Sequence, residues 1–170
     1  MRSCLQSGAQ TLSCSRTQID IDDSVEAIKK ILADVFGVKC DVSVSSQFDS
    51  LVKKTIEKSG SFDILVNDAG IAFVKKLADA SEKEWDETLG SNLKNAFLCC
   101  KTVLPYIFNN NAGTIINVSS RAGKDGFDSL FAYCASKFCM MGLTESLAWE
   151  VGGHQIRVMS IRPGEVATKM

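Results

Sequence analysis

Thr114-Ile115-Ile116-Asn117-Val118-Ser119-Ser120 is an apolar run that stops on two serines. Its length and β-branched content predict a strand, with Ser119 and Ser120 delivered to its carboxyl end. Thirteen residues beyond Ser120 comes Tyr133-Cys134-Ala135-Ser136-Lys137. Ala135, Phe138, Met141, Leu143, Leu147 and Ala148 recur there at roughly helical spacing, so the segment predicts a helix. A strand, a serine turn and a helix in that order make one step of an alternating α/β chain.

The remaining sequence repeats this step. Thr11-Leu12-Ser13-Cys14 predicts a short strand. Asp22 or Asp23 is expected to cap a helix with the apolar face Val25, Ile28, Ile31, Leu32 and Val35, which Gly37 ends. Val38-Lys39-Cys40 predicts the second strand. Ser45 or Ser46 opens a helix with Phe48, Leu51, Val52 and Ile56 inward. Phe62-Asp63-Ile64-Leu65-Val66 predicts a buried strand, followed by Asn67-Asp68-Ala69-Gly70. Ser81 and Glu84 form a capping box for a helix that carries Trp85, Leu89, Leu93 and Phe97 towards Pro105. Ile156-Arg157-Val158-Met159-Ser160-Ile161 is the last strand and stops at Pro163-Gly164. Short apolar strands between helices imply a parallel sheet covered on both faces. Ligands bind such sheets at the carboxyl ends of strands. Asn67, Ser120 and Pro163-Gly164 are all expected there.

The length of 170 residues suits one domain, 1–170, with a real core. The net charge of −1 gives no basic field for nucleic acid or an anionic membrane. No run of about 20 apolar residues predicts a membrane span. The longest candidate, Ala96 to Phe108, is broken by Lys101 and Pro105. Met1 to Ser7 lacks the apolar stretch of a signal peptide. The seven cysteines, Cys4, Cys14, Cys40, Cys99, Cys100, Cys134 and Cys139, contain no Cys-x-x-Cys pair. They predict reduced, buried thiols in a cytoplasmic protein. With one histidine, His154, expected in a surface loop after Gly152-Gly153, no metal site is expected.

Tyr133 and Lys137 are four residues apart and share one helix face. A phenol ordinarily ionises at about pH 10, and bringing it to neutrality takes about 4 kcal/mol. One cation at about 4 Å and an effective dielectric of about 20 supplies roughly that amount. Lys137 can therefore turn a tyrosine into an acid or base. Ser120 would hydrogen-bond the substrate oxygen where charge develops. The chemistry implied is proton transfer coupled to making or breaking a C–O double bond. Taken alone, such a Tyr–Lys pair is common on amphipathic helices, and Ser119 and Ser120 also suit a plain turn.

With these residues in place, the chain closely resembles the short-chain dehydrogenase/reductase family, from about Gly8 to Met170. Asn67-Asp68-Ala69-Gly70 resembles the family's Asn-Asn-Ala-Gly signature, with Asp68 in place of the second Asn. Ser120, Tyr133 and Lys137 match its Ser and Tyr-x-x-x-Lys, and Asn92 its catalytic Asn. Asp41-Val42 matches the adenine-contacting Asp after the third family strand. Pro163-Gly164, with Val166 and Thr168, matches the Pro-Gly segment at the nicotinamide.

The resemblance implies a Rossmann-like doubly wound parallel sheet and hydride transfer from a nicotinamide cofactor. It implies that Tyr133 gives or takes the proton, that Ser120 holds the carbonyl and that Lys137 binds the nicotinamide ribose. Asn92 would help hold a water that relays protons to Lys137. Where NAD-specific relatives place an Asp after the second strand, this chain has Ser15 and Arg16. A hydroxyl and a guanidinium suit a 2′-phosphate, so NADP(H) is expected.

The family's opening strand and Thr-Gly-x-x-x-Gly-x-Gly turn have no counterpart here, and neither do its final helices and strand. An incomplete member is expected, marginally stable and weak in binding NADPH. The leading expectation is a reductase of ketones or dehydrogenase of secondary alcohols, most like 3-oxoacyl-[acyl-carrier-protein] reductases. The resemblance also implies a homo-oligomer, because family members pair through helices corresponding to 82–106 and 130–151; the alternative function is an inactive relative acting by binding or dimerising. An NAD-dependent epimerase also uses Tyr-x-x-x-Lys, but the Asn67–Gly70 signature and the Ser120 spacing argue against it.

Overall fold

The computed structural model describes residues 9–30 and 34–164. The chain divides into two compact units, Met1–Ser61 and Phe62–Met170. Each contains parallel strands joined through helices, and every strand pair in both is parallel.

The first unit runs β1 (Thr11–Ser15), α1 (Gln18–Lys29), β2 (Val35–Lys39) and α2 (Ser45–Ser59). β1 pairs with β2 from Thr11 opposite Val35 to Ser15 opposite Lys39. Two expectations need correction here. The helix starts at Gln18, before Asp22, with Thr17 at its N-cap position. Val35 and Gly37 belong to β2 and not to the helix or its end. Val35 still packs on Ile28 and Val25, but from the strand. Periodicity cannot separate the last turn of a helix from the first residue of a strand packed against it. Gly37 has a packing reason: a Cβ there would lie 2.1 Å from Cγ2 of Ile21 on α1. Ile31 and Leu32 lie outside the described residues. In α2, Phe48, Leu51 and Val52 are buried as expected, and Gly60 ends the helix in the left-handed conformation.

The second unit contains β3 (Ile64–Asn67), α3 (Glu82–Leu89), a π-turn at Gly90–Lys94, α4 (Asn95–Asn110), β4 (Ala112–Val118), α5 (Phe131–Glu150) and β5 (Gln155–Ile161). Its sheet has the order β3-β4-β5. The expected buried strand at 62–66 is only half covered. Leu65 is buried, whereas Ile64 and Val66 are 46% and 48% exposed. Side chains alternate along a strand, and only one face of β3 is packed. Among the described residues β3 pairs with β4 alone.

The capping box is present: Ser81 Oγ accepts from Glu84 N–H, and Glu84 reaches back to Ser81 N–H at 3.0 Å. Lys75 sits 2.5 Å from the Glu84 carboxylate. With the two Ser81 hydrogen bonds, it holds that carboxyl down at about 2. Pro105 lies inside α4, which continues to Asn110. Cys40, Cys99, Cys100 and Cys134 are buried thiols, Cys14 is half-buried, and Cys139 is exposed, contrary to the expectation for it. Cys4 lies outside the described residues. His154 is exposed in a turn, 3.4 Å from Asn111 Oδ1 and edge-on to Phe108. Among the described residues no helix is long and apolar enough to cross a membrane.

Candidate active site

The site is built where β4 and β5 end together. Ser119 N–H donates to Ile161 C=O at 2.9 Å, and Arg121 N–H donates to Pro163 C=O at 2.9 Å. These two bonds carry Pro163 against the serine turn. The two serines then separate by burial. Ser119 is 3% exposed and donates to the Lys137 carbonyl at 3.2 Å. Ser120 is half-buried, and its Oγ accepts from Ala122 N–H at 3.1 Å. Acceptance leaves the Ser120 hydroxyl hydrogen free to donate to a substrate oxygen. Gly123 permits this packing, since a Cβ there would lie 2.4 Å from Ser119 Oγ and 2.9 Å from the Lys137 carbonyl oxygen.

α5 carries Tyr133 and Lys137 on one face, as the spacing predicts. The Lys137 ammonium lies 5.5 Å from the Tyr133 ring centroid. It donates to the Val118 carbonyl at 2.8 Å, which uses one of its three N–H donors. Lys137 is 3% exposed. Burial pulls its pKa below lysine's usual 10.5, and the Asp68 carboxylate acts in the opposite direction.

Asn92 is wholly buried in the π-turn. Such turns within α-helices are frequent at functional sites. Its Oδ1 accepts from Ile71 N–H at 2.7 Å. Its Nδ2 donates to Ile71 C=O at 2.9 Å and to Ser136 Oγ at 2.9 Å. The side chain therefore clamps the chain just after Asn67–Gly70. Asn67 Nδ2 donates to Asn117 Oδ1 at 2.8 Å and to Cys100 Sγ at 3.4 Å. Burial pushes the Cys100 thiol up to about 11 despite the Asn67 contact, which makes it a poor nucleophile. Asn117 Nδ2 in turn donates to Thr144 Oγ1 on α5 at 2.9 Å. Ala69 and Gly70 are exposed beside this network. A Cβ at Gly70 would sit 3.1 Å from Asn92 Oδ1 and 3.7 Å from Lys137 Nζ, so glycine keeps the approach to the ammonium open.

The structure thus brings Asn67, Gly70, Asn92, Ser120, Tyr133, Lys137 and Pro163 into one linked region of the second unit. Gly164 is exposed next to Pro163. Val166 and Thr168 lie outside the described residues. Ser15, Arg16, Asp41 and Val42 belong to the first unit. There the Asp41 carboxylate accepts from Ser43 Oγ at 2.6 Å and Ser43 N–H at 2.9 Å. Those bonds, and then the Arg16 charge, hold its pKa below the usual range. Ser15 Oγ donates to Asp20 Oδ2 at 3.3 Å, an acidic neighbour that the sequence reading passed over. Also missed were Asn117, Thr144 and Ser136. A polar residue inside an apolar strand was the readable signal for Asn117; nothing in the sequence marks Ser136.

The profile of the short chain dehydrogenase family matches residues 1–170. The chain belongs to that family. The 3-oxoacyl-[acyl-carrier-protein] reductase FabG of Staphylococcus aureus (strain Mu50) is 34% identical over 146 residues, 86% of this chain and 59% of that protein. The D-threitol dehydrogenase of Mycolicibacterium smegmatis is 37% identical over 134 residues, 79% of this chain and 52% of that one. Among solved structures, a variant of actinorhodin polyketide ketoreductase with NADPH superposes with a TM-score of 0.94 at 27% identity. That match covers 98% of this chain and 64% of the other. The chain therefore spans about three fifths of the length of the curated relatives it matches. Its fold is the Rossmann-type α/β fold of this dehydrogenase family, and the family is one of oxidoreductases.

Proposed function

We propose that this short-chain dehydrogenase serves an NADP(H)-dependent interconversion of a ketone and a secondary alcohol, with 3-oxoacyl thioesters as the leading substrate class. The observation that carries the reading is the buried Lys137 ammonium beside the Tyr133 ring, with a Ser120 hydroxyl whose hydrogen is free in the turn that Ser119 ties to Lys137. Ser120 donates to the substrate oxygen, and Tyr133 delivers or removes the proton there. Lys137 has two N–H donors left for cofactor hydroxyls. NADP(H), when bound, supplies or accepts the hydride, which no side chain can do.

The residues present suit that cofactor. The open approach at Gly70 leads to Lys137, and Arg16 and Ser15 offer a cation and a hydroxyl for a 2′-phosphate. Asp41 and Val42 are proposed at the adenine. Asn67, Ala69, Gly70, Pro163 and Gly164 are proposed along the nicotinamide half, joined by Val166 and Thr168 on the resemblance alone. We take both units, 1–170, as parts of one dinucleotide-binding domain, supported by one family profile covering both, and propose a cytoplasmic protein from its cysteines without a Cys-x-x-Cys pair.

A second reading, an inactive relative that works by pairing, is favoured by one observation. An open groove of about 680 Å³, lined by Leu89, Leu93, Phe97, Cys139 and Leu143, runs between the 82–106 and 130–151 helices. NADPH oxidation by the full chain with acetoacetyl thioesters, sugars and simple ketones separates the two readings. Turnover that Tyr133→Phe lowers by about a hundredfold or more supports the enzyme. No turnover with any acceptor, from a folded dimer, supports the inactive relative instead.

A further inference from the structure

The proposed chemistry gives no role to the buried hydroxyl of Ser136. Ser136 is 0% exposed and sits between the two reactive positions of α5. Its Oγ accepts from Asn92 Nδ2 at 2.9 Å and donates to the Tyr133 carbonyl at 2.7 Å. Asn92 holds Ile71 N–H and C=O at 2.7 Å and 2.9 Å. Three segments therefore meet at one hydroxyl: the chain after Asn67–Gly70, the π-turn, and the turn of α5 that carries Tyr133 and Lys137. A hydroxyl that both accepts and donates fixes the direction of each bond in the chain. In a buried setting such a chain is rigid because every alternative leaves a polar group unsatisfied.

We propose that Ser136 is a positioning residue that locks the Tyr133–Lys137 turn to the Asn92 clamp on the Asn67–Gly70 loop. For its effect on turnover the inference rests on the oxidoreductase reading; for its effect on the clamp it does not. Helix packing alone sets the height of Tyr133 on α5 but not its register against the loop at Gly70. Asn92 alone holds that loop but has no other side-chain tie to α5. Ser136 supplies the connection, and removing it leaves one Asn92 amide hydrogen unpaired in the interior.

The test reads amide hydrogen exchange in the full chain. Ile71 N–H is the reporter, because its acceptor is Asn92 Oδ1; Ile115 N–H on β4 reports overall stability. Ser136→Ala is expected to speed exchange at Ile71 about tenfold relative to Ile115. Asn92→Ala should do the same, and the double variant should go no further, as for residues acting as one unit. The core deletion Ile107→Val shows what lost stability alone does and should leave the Ile71-to-Ile115 ratio unchanged. Should Ser136→Ala fail to fold, Ser136→Cys keeps the volume while weakening both bonds, and it is read in the same way. An unchanged ratio in the Ser136 variant, or additive effects of the two substitutions, overturns the proposal. Where the parent chain turns over NADPH, kcat of Ser136→Ala should fall by about tenfold to a hundredfold with KM for NADPH unchanged. A parent chain with no turnover removes the oxidoreductase reading, and the exchange ratio still decides the clamp.

Discussion

The gathering of Tyr133, Lys137 and Ser120 in one region was legible because a strand end and a four-residue helical spacing are displayed directly by a sequence. Ser119 and Ser120 were not separable by type. Burial separates them: Ser119 at 3% exposure holds the Lys137 backbone, while Ser120 keeps a free hydrogen. The buried ammonium makes a stability prediction. The folded pKa of Lys137 lies below the unfolded value near 10.5, mainly through burial. Below the folded pKa both states are charged and the native state bears the full desolvation cost. Between the folded pKa and 10.5 the unfolded chain binds more protons, so stability rises with pH. Lys137→Met lacks this term, so urea midpoints should show wild type gaining on the variant as pH approaches 10.5. A gap constant with pH removes the account. The cofactor prediction also belongs to single residues. Asp20 binds the Ser15 hydroxyl and places a carboxylate beside the proposed 2′-phosphate position. Asp20→Asn should raise the NADPH-to-NADH affinity ratio, and Arg16→Asp should lower it, each by about tenfold for a charge pair worth about 1.4 kcal/mol. Fluorescence titration with both nucleotides measures the ratio; two unchanged ratios would place the 2′-phosphate elsewhere.

The alternation of strands and helices was readable at the level of elements, and so was the Ser81–Glu84 capping box, because caps and turns are local. What failed were statements that depend on tertiary neighbours. Gly37 reads as a helix terminator, yet its place in β2 is set by Ile21, whose methyl would lie 2.1 Å from any Cβ. Ile21 is 2% exposed and β-branched, so it has little room to yield. Gly37→Ala should therefore cost about 1–3 kcal/mol through overpacking, in spite of alanine's lower backbone entropy. Urea unfolding followed by a probe in the first unit measures this, and a neutral or stabilising result would show that α1 shifts away from β2 freely. The half-covered β3 has the same origin. Ile64, Leu65 and Val66 read as a continuous core run, but a strand buries both faces only when something packs on each.

The distribution of apolar residues over the whole chain gives a surface that neither motif nor capping rule explains. Trp85, Leu89, Leu93 and Phe97 recur every four residues, a spacing that ordinarily marks the core-facing stripe. Here the stripe faces out. Trp85 and Phe97 are 37% and 46% exposed, while Thr88, Asn92 and Asn95 are buried on the opposite side. Asn92 faces inward to hold Ile71 and Ser136, and Thr88 bonds the Glu84 carbonyl of its own helix. Phe138 at 46% and Trp149 at 87% exposure add to the apolar surface along α5. Phe97 joins Leu89, Leu93 and Leu143 in the open groove between the two helices, and apolar surface of that kind marks an interaction site more often than it does a tolerated exposure. A second copy of the chain is the occupant we propose, since a two-fold axis sets the same stripe against itself and closes the assembly. Phe97→Glu tests this without disturbing the core, because its ring is already half in solvent. In sedimentation equilibrium the parent chain should carry about twice the monomer mass and Phe97→Glu the monomer mass, with matching circular dichroism. A glutamate desolvated in each copy is costly at such a seam, so a dimer that survives the substitution must be built on some other face, and a parent chain that sediments as a monomer leaves the stripe free for a different partner.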